Sequence, residues 1–229
     1  MNRNIHSFIL LMGVLLITAC GNENTGEDAS ISEAGEVAEA SSDAVTFIID
    51  TSKSLIHWEG YKPSATHKGT IEIQSGTFSM KDELPESGSI AIDMSTIENQ
   101  DLEGKYKEKL ENHLMGLEEG REDDFFNVTQ YPTASFEITG IESLENDSTA
   151  NATVSGNLTL RDTTQMITFK ANIERDNEML SINTPKFTID RTRWGIMFMS
   201  RSIVDDIKDG IVEDEIGLIL DVQAKVAEE

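Results

Sequence analysis

Apolar and polar residues alternate along most of the chain from residue 45 onward, and this alternation limits what the chain can fold into. The segment ITFKANI at 167–173 is typical, because every second residue is apolar. Successive side chains of a β-strand point to opposite faces, so each such run has one apolar and one wet face. The pattern predicts an all-β fold of antiparallel strands. The same period recurs at Ile56, Trp58, Ile71, Ile73, Ile90, Ile92, Phe136, Ile138, Leu158, Leu160, Phe187, Ile189, Ile216, Leu218 and Leu220.

One segment, 101–117, breaks the alternation. Its apolar residues recur every three or four positions, which predicts an amphipathic helix. They are Leu102, Tyr106, Leu110, Leu114 and Leu117. We therefore expect a single domain over 45–229, with about eight strands and one inserted helix. Such a sheet stacks on a second sheet or closes into a barrel, whose interior is filled by side chains or admits one slender ligand.

Residues 1–20 have the layout of a secretory signal peptide. Arg3 supplies an early positive charge, residues 8–17 are apolar, and Thr18 and Ala19 precede Cys20. The apolar run is shorter than the roughly 20 residues that a spanning helix needs. The sequence Ile-Thr-Ala-Cys at 17–20 resembles the bacterial lipobox, so we predict that Cys20 becomes the lipidated first residue of the mature protein. The alternative is an ordinary signal peptide with an incidental cysteine.

Residues 21–44 contain seven acidic residues and no Lys, Arg or aromatic residue. This composition predicts a disordered acidic tether between the anchor and the folded domain. Without residues 1–20 the chain has 17 Lys and Arg against 42 Asp and Glu, a formal charge of −25. That charge argues against nucleic acid or anionic lipid surfaces as partners. We expect membrane contact only through Cys20, in the bacterial cell envelope.

Sequence motifs for catalysis and metal binding are missing. The chain has no Gly-x-Ser-x-Gly, no glycine-rich phosphate loop and no His-Glu-x-x-His. His57, His67 and His113 lack metal-ligand spacing, so we predict no metal, no cofactor and no enzymatic activity. Arg191 is a candidate partner for a phosphorylated head group, since an Arg fork matches phosphate oxygens. Alternatively, it pairs with surface carboxylates.

Several motifs in series resemble the YceI-like family. They are THKGTIEIQSGTF at 66–78, HLMGLEEGREDDFFNVTQYPTASFEITGI at 113–141, VSGNLTLRDTTQMITF at 154–169, FTIDRTRWGIMF at 187–198 and DDIKDGIVEDEIGLILDV at 205–222. The resemblance extends from about Thr46 to Val226. It implies a lipocalin-like antiparallel barrel that holds a polyisoprenoid or other long-chain lipid in an elongated pore. It also suggests a homodimer.

This resemblance, together with the apolar faces, gives a set of candidate site residues. His67 and His113 match family positions and are candidate contacts of a lipid head group. The adjacent Phe125 and Phe126 are expected to cap or gate the barrel mouth. Three alternatives stay open: structural histidines, a solid core without a ligand, and an enzyme that uses the two histidines as acid and base. The predicted lipid-lining residues are Ile56, Trp58, Phe78, Phe125, Phe126, Phe136, Ile138, Phe169, Phe187, Ile189 and Trp194.

Overall fold

The computed structural model of the protein describes residues 26–203 and 210–228. The predicted signal peptide, Cys20 and the first residues of the predicted tether lie outside the described residues. In the described part the chain forms thirteen β-strands and one α-helix. Their bounds are β1 Glu27–Asp28, β2 Ser30–Glu33, β3 Val45–Ile49, β4 Leu55–Lys62, β5 Ala65–Met80, β6 Pro85–Asp93, β7 Glu98–Asn99, α1 Gly104–Met115, β8 Thr133–Ser143, β9 Ala152–Leu160, β10 Thr163–Asp176, β11 Met179–Asn183, β12 Phe187–Asp190 and β13 Glu215–Val226.

The strands form a closed ring. From β13 the hydrogen-bonded order is β11, β10, β9, β8, β6 and β5, and β5 returns to β13 through β3 and β4. β11 and β12 follow each other along one side of β13, while β3 and β4 follow each other along its other side. The ring therefore has eight strand positions, and all of its pairs are antiparallel. The predicted all-β antiparallel barrel is confirmed.

The interior of the barrel divides into two halves along its axis. In the half that contains β3, the end of β5 and the end of β13, inward side chains form a packed core. Phe47, Met80, Leu180 and Ala224 are completely buried there. Each belongs to a run in which every second residue is apolar, because only one face of a strand reaches the interior. The other half, toward the start of β13, contains a cavity.

Helix α1 lies over the cavity end of the barrel, with Leu110 and Leu114 among the residues that line the cavity. The helix is capped after Met115 by Gly116, whose φ of 71° lies in the left-handed region that favours glycine. The predicted helix is confirmed, but the predicted stripe is too long. Tyr106 is 65% exposed and Leu117 is 52% exposed. Leu102 and Leu117 lie outside α1, and no residue of α1 is buried.

The prediction of a disordered tether over 21–44 is wrong for residues 26–44. This segment, which we call the strap, pairs as β1 with β12 and as β2 with β10. It then crosses the outside of the barrel, where Asn157 binds the backbone of Gly35. Composition indicated disorder because the segment has little apolar surface to bury. The strap is ordered instead by backbone hydrogen bonds to strand edges, which composition does not reveal.

Gly156 on β9 sets the position of an aromatic ring in the wall. A Cβ atom there would lie 2.6 Å from Cε2 of Phe136 and 2.8 Å from the carbonyl oxygen of Glu137. We expect Gly156→Ala to lower the free energy of unfolding by about 1–3 kcal/mol, because the ring must move. Gly140→Ala is the control, since its Cβ would meet nothing within 4 Å. Urea unfolding of both variants measures the difference, and equal stabilities would contradict this packing.

Candidate ligand-binding site

The cavity in the barrel has a volume of about 170 Å³. All eight strand positions of the ring contribute apolar side chains to its wall, and α1 covers its open end, which we call the mouth. Charged residues among the lining side chains, such as Lys62, Glu213 and Glu215, lie near the mouth. The apolar wall residues from the strands are Ile56, Trp58, Ile71, Ile90, Ile92, Ala134, Phe136, Leu158, Leu160, Ile167, Phe169, Phe187, Ile189, Ile216, Leu218 and Leu220.

A row of three aromatic rings lies on one side of the cavity. The rings of Phe169 and Phe187 stack with centroids 4.5 Å apart and planes 3° apart. Phe136 lies next to Phe169, at 5.7 Å between centroids. On the other side Trp58 donates its indole N–H to the carbonyl of Thr70 at 3.3 Å. Since that polar atom already has a partner within the protein, Trp58 offers a ligand only apolar surface.

Eight of the eleven predicted lipid-lining residues line the cavity. The other three do not border it. Phe78 and Ile138 lie in the packed half, where both approach Gly88. Trp194 is 1% exposed and its indole N–H donates to the carbonyl of Leu158 at 2.9 Å. Alternation identifies the inward face of a strand but not the height along the barrel axis, so it could not separate cavity from core. The eight are Ile56, Trp58, Phe125, Phe126, Phe136, Phe169, Phe187 and Ile189.

Sequence reasoning missed Phe198 and Ala134 as lining residues. Phe198 follows the turn at 191–194 in an irregular segment, and no periodic pattern marks it. Ala134 is paired with Ile92 across β6 and β8 and belongs to an alternating run. The alternation could have identified Ala134, but an alanine carries too little apolar surface to draw attention.

His113, on the last turn of α1, joins an aromatic cluster at the mouth. Its ring meets the rings of Phe125 and Phe198 edge-on, with centroids 5.0 and 4.8 Å away. Its Nε2 lies 2.7 Å from Oδ2 of Asp124, which also accepts a hydrogen bond from Nε of Arg121. Phe125 is buried and lies outside any strand, as predicted for a residue that caps the mouth. This cluster attaches the end of α1 to the loop that follows it.

His67, on β5, makes a matching contact before the start of α1. Its Nδ1 lies 2.9 Å from Oδ2 of Asp101, and Oδ1 of Asp101 accepts from the backbone N–H of Lys68 and from Asn99. Partial burial acts to raise the pKa of Asp101, but the hydrogen bonds from Lys68, His67 and Asn99 outweigh it and lower that pKa. A His–Asp pair therefore lies at each end of α1, and both histidines line the cavity.

Arg191 is buried, with 1% of its surface exposed, and it also lines the cavity. Burial lowers the pKa of its guanidinium, and the carboxylate of Asp214 opposes the shift. Most of its acceptors are backbone carbonyls, not the surface carboxylates expected from the sequence. A head group at Arg191 must compete with them, so that role stays a prediction. The acceptors are the carbonyls of Glu213, Ile196, Phe198 and Val212 and one carboxylate oxygen of Asp214.

Two kinds of feature are absent from residues 26–203 and 210–228. No group of three or more His, Cys, Asp or Glu side chains in these ranges could hold a metal ion. No helix in the same ranges is long and apolar enough to cross a membrane. The polar side chains that line the cavity include Tyr61, His67, His113, Arg191 and the charged residues of the mouth.

A closed antiparallel barrel with an apolar cavity open at one end defines a class of hollow barrels. Within this class the chain belongs to the YceI-like domain family, which matches residues 47–224. This confirms the resemblance seen in the sequence motifs. A UPF0312 protein of Pseudomonas putida is 31% identical over 110 residues, 48% of this chain and 50% of that protein. The chain spans about half the length of the curated relatives it matches.

Two solved structures share the fold. BcnA of Burkholderia cenocepacia has a TM-score of 0.55 at 16% identity, covering 77% of this chain and 99% of its own. A polyisoprenoid binding domain from Saccharophagus degradans, implicated in plant cell wall breakdown, has a TM-score of 0.54 at 10% identity, covering 80% and 99%. At these identities the similarity establishes the fold alone.

Asp101→Asn tests the attachment of α1 to β5. We expect it to lower the free energy of unfolding at pH 7 by about 1–3 kcal/mol, since hydrogen bonds to a carboxylate are lost. The folded pKa of Asp101 lies below its ordinary 3.8, so its stabilisation is present above pH 3.8 and is lost as the pH falls through the folded value. The difference from the wild type should therefore shrink below pH 3.8.

Urea unfolding at pH 7 and at pH 3 measures both parts of this prediction. Asp82→Asn is the matched control, because Asp82 is exposed in the β5–β6 turn and should have no such effect. A constant difference between Asp101→Asn and the wild type over this pH range would contradict the assignment of the charge.

Proposed function

We propose that this protein binds a polyisoprenoid or other long-chain lipid in the barrel cavity, as a carrier or scavenger without chemistry of its own. One observation supports this most directly: the cavity wall is apolar on all eight strand positions, while charged groups lie at the mouth. Such a distribution suits a ligand with a long apolar chain and a polar end. The polyisoprenoid binding described for the Saccharophagus degradans domain is in line with it.

The energetics favour a hydrocarbon chain. Each methylene buried from water contributes about 0.8 kcal/mol, so a chain of several isoprene units needs no polar anchor. The volume of about 170 Å³ is below the roughly 300–1,000 Å³ of pockets that enclose drug-sized ligands. A long chain must therefore displace α1 or extend through the mouth. Displacement of α1 would uncover the apolar mouth, and a bound chain could cover this surface in its place.

The same geometry bears on the two alternative functions that the sequence left open, a structural module and an enzyme. A structural module with a solid core is at odds with the cavity in half of the barrel. An enzyme that uses His67 and His113 finds support in the His–Asp pairs, because a carboxylate can orient a general-base histidine. In the carrier proposal these pairs instead attach α1 at both ends. A carrier returns its ligand unchanged in mass after prolonged incubation, whereas an enzyme does not.

The substitution Ala134→Phe is expected to block the cavity. Ala134 lines it, and an aromatic ring there occupies space that the lipid needs, so bound lipid should fall at least fivefold. Lipid extracted from protein purified under mild conditions is measured by mass spectrometry, per mole of protein. Ala91→Phe is the matched control, since Ala91 lies across β6 and β8 from Ser135 and does not line the cavity. It should retain its lipid.

Three outcomes contradict the proposal. If the wild-type protein contains no extractable lipid, it does not bind the proposed ligand. If Ala134→Phe and Ala91→Phe lose equal amounts of lipid, the lipid does not bind in the cavity. If the mass of the lipid changes during incubation, the protein is an enzyme and not a carrier. Thermal melting of both variants shows that each remains folded.

We also propose that the protein is attached to a membrane of the bacterial envelope through Cys20. The lipobox-like residues 17–20 support this attachment. Gly26, six residues after Cys20, already lies against Lys186 on the barrel wall. Six extended residues span about 20 Å, so the anchor would hold the barrel next to the bilayer rather than at the end of a long tether. The homodimer stays a prediction.

Cys20→Ser is expected to abolish the membrane attachment. The thiol is the only one in the chain, so the variant has no site for the acyl groups. Metabolic labelling with a radioactive fatty acid and fractionation of cells into membrane and soluble parts measure the effect. Labelling of the variant as strong as that of the wild type would rule out the anchor.

A further inference from the structure

In the described part of the barrel wall, β10 and β12 are neighbours that do not pair with each other. β11 pairs with the end of β10 from Asn172 to Asp176. Beyond β11, β12 pairs with the wall strand β13 along one edge, and the first part of β10 pairs with the wall strand β9 along one edge. The other edge of each faces the strap and not a wall strand. The wall strands β10 and β12 therefore separate toward the mouth and leave a seam between them.

The strap, residues 26–44, fills this seam. β1 runs parallel to β12 with Glu27 opposite Phe187, and β2 runs antiparallel to β10 with Ile31 opposite Ile167. The N–H of Ala29 donates to the carbonyl of Thr188 at 2.9 Å. The strap thus leaves β12 and joins β10 within a few residues, and it bridges two edges that would otherwise be unpaired.

The attachment of the strap is polar and exposed. None of its residues is buried, although Ala29 and Ile31 pack partly against the core. Glu27 pairs with Lys170 at 2.8 Å, and Asp28 accepts from the hydroxyl of Thr188 at 2.5 Å. Segments with few buried apolar contacts and exposed hydrogen bonds open locally at low cost. The strap precedes the residues 47–224 that match the family.

The inner side of the seam is the cavity itself. Ile167 and Phe169 on β10 and Phe187 and Ile189 on β12 all line it. The stacked rings of Phe169 and Phe187 face each other across the seam at 4.5 Å. Removal of the strap would leave β10 and β12 two strand spacings apart, about 10 Å, with only side chains between the cavity and the outside.

We propose that the strap is a displaceable strand that closes a lateral portal into the cavity, and that lipid enters and leaves between β10 and β12 when it opens. This inference rests on the proposed lipid-binding function. A side portal admits a chain along its length, so its polar end need not cross the apolar lumen. The strap begins six residues after Cys20, which places the portal at the membrane if Cys20 is the anchor.

A reversible crosslink between strap and wall tests the portal. In full-length protein carrying Cys20→Ser, Ser32→Cys and Met166→Cys place two thiols at directly opposed positions of β2 and β10. The matched control joins β11 to β13 through Ser181→Cys and Gln223→Cys, a register pair of the wall away from the strap. The probe is N-phenyl-1-naphthylamine, an uncharged dye, and stopped-flow fluorescence measures its uptake and release.

Oxidation should slow uptake and release of the dye in the strap variant at least tenfold, with unchanged affinity, and reduction should restore both rates. The control should show no change. Unchanged rates in the oxidised strap variant overturn the portal, and equal slowing in both variants overturns it in favour of general flexing of the wall. Absence of dye binding to all reduced proteins overturns the proposed function itself.

Substitutions at two asparagines test whether a weaker attachment of the strap speeds release of the dye. Asn157 binds both the N–H and the carbonyl of Gly35 in the strap, at 2.9 and 2.8 Å. Asn151 binds Ile173 on β10 with the same two bonds, both at 2.8 Å. Asn157→Ala should speed dye release at least threefold, whereas Asn151→Ala should not, with thermal melting as a check of folding. Equal release rates from the two variants would overturn the portal.

Discussion

The antiparallel closure of the sheet at β13 is the constraint on which the rest of this structure depends. β13 pairs with β11 and β12 on one side and with β3 and β4 on the other, so the first and last strands of the domain meet. Closure satisfies the backbone groups of the wall without water, and it permits an apolar interior. The cavity, the helix over its mouth and the seam all follow from how completely the ring closes.

Closure of the ring does not by itself decide whether the interior is full or hollow. The packed half contains Phe47 and Met80 in full burial, which stabilises the barrel. In the other half the inward side chains, which include the small Ala134, do not fill the interior, and a cavity remains. The packed core and the cavity are therefore separated along the barrel axis.

Much of the fold was predictable from the sequence, because a strand with one buried face must alternate. Eight of the eleven residues predicted to line a lipid site border the cavity for the same reason. Phe78 and Ile138 were misplaced because their height along the axis depends on strand register, and register follows from pairs that are distant in the chain. The strap escaped prediction, since its order comes from edges on β10 and β12 that exist only in the folded barrel.

The sequence by itself determined the class of fold, the family and the inward face of each strand, because these depend on local periodicity and on motifs in fixed order. The tertiary structure alone decided which inward residues border a cavity and which partners the histidines have. His67 meets Asp101 and His113 meets Asp124 only after α1 is placed over the mouth. It also decided that an acidic segment without buried residues becomes part of the wall, since hydrogen bonding to an open strand edge needs no apolar surface.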